Sequence, residues 1–129
     1  MKKLLLFLFL IPNLVMAENV LYCQEELGTG LIKKNGVWKT ANFKLERYTI
    51  KFNADYTKLD GLTFYPMSCS KPFDHKSDYI ACVNSLGSHE TFSYNTLTKR
   101  FLYSNISSGG YAANGADTES LSTGSCEKF

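Results

Sequence analysis

Between Cys69 and Cys82 the chain reads C-S-K-P-F-D-H-K-S-D-Y-I-A-C, which sets one histidine and two aspartates between two thiols. Those residue types could serve a metal site, a reactive thiol beside a base, or a loop tied by a disulfide. Zinc sites hold thiolates two to four residues apart, or gather several His and Cys at ligand spacing. Here twelve residues separate the cysteines. Asp74 and His75 are adjacent, so on a strand they would project to opposite faces. No metal is expected, and the segment reads as a stapled loop with Pro72 and Asp78 supplying turn chemistry.

Other catalytic arrangements are sparse. A serine nucleophile elbow needs Gly-x-Ser-x-Gly, whereas Ser85-Leu86-Gly87-Ser88-His89 only juxtaposes the residue types. Glycoside hydrolysis needs two acids across a cleft, and Glu25 and Glu26 are neighbours on a polar segment. Gly28-Thr29-Gly30 lacks the longer pattern of a phosphate cradle and reads as a flexible lead into the first hairpin. Asn114 to Glu119, N-G-A-D-T-E, lacks the spaced carboxylates of an EF-hand loop and reads as a turn. A small hydrolase with His75 or His89 as base is one alternative, though neither has a partner nucleophile in the sequence. No cofactor is expected.

Cysteine chemistry depends on the compartment, which the first residues address. Lys2 and Lys3 precede an apolar run from Leu4 to Val15, and Val15-Met16-Ala17 provides small residues for cleavage before Glu18. Residues 1–17 are therefore expected to be a cleaved signal peptide, too short to cross a hydrocarbon core of about 30 Å comfortably. The expected product, residues 18–129, is periplasmic or secreted and not membrane-bound. The whole chain has 14 basic and 12 acidic residues, and loss of Lys2 and Lys3 leaves twelve of each. A neutral domain without a basic stripe is not expected to bind nucleic acid. Lys33, Lys34 and Lys39 form the nearest cluster and read as a solvated hairpin tip.

The remaining length suits one domain with a modest core. Apolar and aromatic residues alternate with polar ones, and turn residues interrupt them every eight to twelve positions, which is the rhythm of short strands. Asn35-Gly36 predicts a tight hairpin turn with positive φ at both positions. In L-E-R-Y-T-I-K-F, Tyr48, Ile50 and Phe52 share one face and Arg47, Thr49 and Lys51 the other. Leu62 to Ser68 and Tyr79 to Asn84 read as strands flanking the stapled loop, with Pro66 at an edge or bulge. A second hairpin pairs Phe92 and Tyr94 with Phe101 and Tyr103 across Asn95 to Thr98. Tyr111 to Ala113 forms a brief run between turns, Ser120 to Cys126 a last strand, and Gln24 to Leu27 the one candidate helical turn. The 16 aromatics after the leader are expected in the core, with Trp38 central. The fold class is all-β, a small antiparallel barrel or sandwich of about seven to eight strands stapled by two disulfides.

Four cysteines allow three pairings. If the first and last strands lie side by side, Cys23–Cys126 clasps the termini and Cys69–Cys82 ties the two flanking strands, and this pairing is the expected one.

Ser108-Gly109-Gly110-Tyr111 resembles the Ser-Gly-x-Tyr segment in the inhibitory loop of bacterial periplasmic lysozyme inhibitors, which are small, disulfide-tied β-barrels. Tyr94-Asn95-Thr96-Leu97-Thr98-Lys99 is similar to that group's Tyr-x-x-x-Thr-Lys-Gly, with Arg100 in place of glycine and the two segments in reverse order. The resemblance implies that Ser108, Gly109, Gly110 and Tyr111 form a binding turn that enters a lysozyme cleft, with Ser108 hydrogen-bonding to the catalytic carboxylates. The leading expectation is broader. It is an exported small β-domain with a non-enzymatic binding or structural role, whose partner is an unknown protein or small ligand.

Overall fold

The computed structural model describes residues 18–84, 86, 89–106, 110–113, 115 and 117–128. The expected leader lies outside them. The described residues form nine strands and no helix: β1 (Asn19–Lys34), β2 (Val37–Ala41), β3 (Arg47–Phe52), β4 (Lys58–Asp60), β5 (Met67–Ser70), β6 (Tyr79–Val83), β7 (His89–Asn95), β8 (Arg100–Ile106) and β9 (Thr118–Lys128). From β3 to β9 each strand pairs antiparallel with the next, and β9 returns to β1 in a ladder from Leu21↔Lys128 to Ile32↔Thr118. The sheet thereby closes into an eight-stranded barrel with β2 added at one rim, which decides barrel over sandwich.

The closing strand, β1, changes partner midway. Asn19 to Gln24 pair with β3, and Gly30 to Lys34 pair with β2 on the same side. Between the two stretches lies a bulge at Glu25/Leu27 in the β1–β9 ladder. One extra residue, Glu26, keeps both halves in phase with the barrel. Leu21, Cys23 and Glu25 are buried inside, while Tyr22, Gln24 and Glu26 are exposed. The helical turn expected over Gln24 to Leu27 is thus a bulged strand. Gly28 and Gly30 also belong to this strand. A Cβ on Gly30 would overlap the Glu119 carbonyl oxygen and crowd the Phe43 ring, so this glycine allows close approach of the chain.

Most of the interior is apolar. Ile50, Phe52, Leu59, Met67, Ile80 and Phe92 are essentially inaccessible, and Leu21, Tyr94 and Phe101 join them. Phe92 stacks on Phe101 at 5.4 Å and Phe52 on Tyr94 at 5.9 Å. The expected alternation of β3 and the expected Phe92↔Tyr103 and Tyr94↔Phe101 pairs are both present. Asn95 makes the β7–β8 turn, its Oδ1 accepting the Leu97 and Thr98 amides at 2.9 Å. Asn35 and Gly36 take φ of 50° and 77°, as the first hairpin requires.

Both disulfides form in the expected pairing, each between directly opposed residues: Cys23↔Cys126 across β1 and β9, and Cys69↔Cys82 across β5 and β6. Three local expectations change. The strand expected from Leu62 starts only at Met67, because Gly61 at φ 96° ends β4 and the chain loops to Pro66. Tyr111 to Ala113 is a turn. Trp38 lies on the β1–β2 hairpin outside the core, where its ring meets Tyr111 edge-on at 5.6 Å.

Candidate functional site

Antiparallel order sends successive connections to alternate ends of the barrel. One end carries 53–57, 71–78 and 96–99. The other carries the β1–β2 hairpin, 42–46, 61–66 and, of the last two connections, the described residues 84, 86, 110–113, 115 and 117. His75 and His89 therefore belong to opposite ends, both exposed, so the structure does not bring the two candidate bases together. All four cysteines are bonded. The loop from Lys71 to Asp78 is held by two successive turns, Lys76 N–H to Phe73 C=O at 3.0 Å and Tyr79 N–H to Lys76 C=O at 3.2 Å, with Phe73 against the Tyr79 ring. Among the described residues no group of three acids, histidines or cysteines could hold a metal ion.

Polar chemistry gathers inside the second end. Glu25 is 6 % exposed. Its carboxylate accepts the Tyr48 hydroxyl at Oε1 and the Glu46 amide at Oε2, 2.8 Å away, while its own amide donates to the Glu46 carbonyl at 3.0 Å. This carboxylate satisfies backbone where β1 passes from β3 to β2 and the ladder is interrupted. Glu90 accepts the Tyr103 hydroxyl at 3.2 Å and the Asn84 side-chain amide at 2.9 Å. The Tyr48 and Tyr103 rings meet edge-to-face at 5.9 Å and join the two clusters. Above them opens a cavity of about 240 Å³ lined by Glu25, Glu46, Tyr48, Tyr103, Asn105, Ser120 and Ser122, with Gly28 and Phe43 in its wall.

Burial, followed by the Glu25 hydrogen bond and charge, holds the Tyr48 hydroxyl far above its ordinary value of 10.0. Burial, followed by the charge and hydrogen bond of Glu90, does the same to Tyr103. Both phenols are therefore proton-bearing donors in neutral solution and not phenolate nucleophiles. A folded pKa raised above the unfolded one contributes stability that is complete below the unfolded value and is lost as pH climbs through the folded one. The wild type is accordingly expected to lose stability above about pH 10, and the Tyr48→Phe/Tyr103→Phe protein to be weaker near neutrality but to lose less on going to about pH 11. Urea midpoints at the two pH values measure this, and parallel losses would remove the linkage.

One signal for this site is present in the sequence. Alternation through L-Y-C-Q-E puts Glu25 on the face of Leu21 and Cys23, and a carboxylate on a core face needs partners. The partners themselves, Tyr48 on β3 and Glu46 just before it, are distant in sequence. Of the candidate binding turn, Ser108 and Gly109 lie outside the described residues. Gly110 and Tyr111 lie at the cavity end, where the Tyr111 amide donates to Glu119 Oε1 at 2.8 Å. The other resembling segment runs the opposite way, from buried Tyr94 to Lys99 at the far end. Gly110 and Tyr111 are not brought to that end. No family model, curated protein or solved structure matches the chain.

Proposed function

We propose that this chain is an exported, non-enzymatic binding module that receives its partner at the barrel end occupied by Glu25, Tyr48, Tyr103 and Glu90. The cavity of about 240 Å³ carries the proposal, because Glu25, Tyr48 and Tyr103 line it while the barrel below is filled by apolar side chains. Glu25 and Glu46 form no ion pair with a described lysine or arginine. A partner group rich in N–H donors, or cationic, complements such a lining. The same end exposes Phe64, at 92 %, and Tyr65 on the 61–66 loop, apolar surface that suits a contact rim. Two disulfides fit an oxidising compartment and support export.

The test is to plug the opening. Native mass spectrometry of the mature protein purified from its own compartment is expected to show a bound molecule or co-purified partner that the Ser120→Trp protein lacks. Identical spectra from both, with the variant folded, would overturn the assignment.

A second reading has the Ser108 to Tyr111 turn inhibit a lysozyme. It is favoured by the anchorage of Gly110 and Tyr111 beside Glu119 and Trp38, which ties down one side of the turn. Wild-type protein would then slow lysozyme turnover and Ser108→Ala would not. Unchanged turnover with either protein removes this reading.

A further inference from the structure

The β1–β2 hairpin projects from the barrel and leaves the far side of β2 without a neighbouring strand among the described residues. In an antiparallel ladder the residues of a strand alternately turn their backbone groups toward and away from the partner. The Lys33 amide donates to the Asp117 carbonyl on the β9 side, so the Lys33↔Trp38 pair is of the type that exchanges no hydrogen bonds. By the same alternation Trp38 and Thr40 both present their N–H and C=O groups away from β1, and no described group bonds to them. Natural edge strands expose such rows only when short, guarded or used.

Charge selects among possible occupants. Residues 31–44 contain Lys33, Lys34, Lys39 and Lys44 and no acid. Lys34, Lys39 and Lys44 have no described carboxylate within ion-pair distance. Lys34 and Lys39 share one face of the hairpin, and Trp38, braced by Tyr111, stands on the other. A second copy pairing edge to edge about Lys39 would set Lys39 directly against its own equivalent, which is unfavourable. A lipid or polysaccharide surface would use the lysines and leave the backbone donors and acceptors idle.

We infer that the free edge of β2 accepts an extended acidic peptide segment of a partner as an added strand, its main chain bonding to Trp38 and Thr40 and its carboxylates meeting Lys34 and Lys39. This site is separate from the cavity and does not depend on it. Thr40 is exposed, so a proline there removes the outward N–H without touching the core.

The test titrates the mature, oxidised protein, isotope-labelled for NMR, with the peptide acetyl-Glu-Val-Glu-Thr-Glu-amide and with its N-methylated form. Expected are shifts confined to Val37–Ala41, slowed amide exchange at Trp38 and Thr40, and no response to the N-methylated peptide. Affinity should fall at least about tenfold for Lys34→Glu/Lys39→Glu, since each cross-strand pair changes from attraction to repulsion, and fall likewise for Thr40→Pro. Absence of protection at Trp38 and Thr40, equal binding of the N-methylated peptide, or protection that tracks protein concentration without peptide would each overturn the inference. The last outcome would make a second copy the occupant.

Discussion

Replacing Cys23 and Cys126 together by alanine is expected to remove about 4 to 5 kcal/mol of stability, because the bond closes a loop with a sequence separation of 103 residues. The Cys69–Cys82 bond spans 13 residues, and its removal should cost about 3 kcal/mol on the same chain-entropy account. The difference follows from what each bond restrains in the unfolded chain, since both join directly opposed strand residues in the folded one. Against a typical domain stability of about 5 to 15 kcal/mol, losing the first bond removes roughly a quarter of the total or more. Urea unfolding of the two alanine pairs measures the contrast. Equal losses would show that unfolded-chain entropy is not the main contribution.

Phe92→Ala is expected to be the most damaging single replacement of a side chain outside the disulfides, at about 3 to 5 kcal/mol. Phe92 is inaccessible and meets three aromatic rings on two other strands, Phe52 on β3 and Phe101 and Tyr103 on β8, with the Cys69–Cys82 bond nearby through its β6 partner Cys82. These neighbours are fixed in a closed ring of strands, so the space left behind cannot collapse easily. Phe64→Ala provides the control. That ring is almost fully exposed, and its loss should change stability by no more than about 0.5 kcal/mol. A comparable loss from both would mean that the stacked interior does not carry the barrel's stability.

What could be read beforehand was what local chemistry decides. Tyr48, Ile50 and Phe52 alternate because a strand with one wet face must, Asn35-Gly36 turns because positive φ suits both residues, and the end-to-end cysteine pairing followed from closing a sheet on itself. What was misread depends on register. Gln24 to Leu27 looks helical only until β9 is aligned beside it and the bulge accounts for the extra residue. An aromatic-rich β core predicts a central Trp38, yet its hairpin outruns the barrel, and only the Gly30↔Ala41 pairing shows where the core stops. The same holds for the polar end. Glu25 is visible as one of two adjacent acids, but its burial needs Glu46 and Tyr48 to arrive from 21 and 23 residues away.

The pairing of β1 with β9 also dictates an order of events. Most strands find their neighbour across a short connection, whereas β1 must wait for the end of the chain, and pairings this distant in sequence are slow to form. During synthesis and any passage across a membrane, the long edge of β1 stays open from Leu21 to Ile32 until Thr118–Lys128 has emerged. The meander from β3 to β8 can assemble first, the barrel shuts last, and Cys23 meets Cys126 only at that final step. A chain shortened by its last dozen residues would lose the seam of the barrel and leave that edge available to other chains.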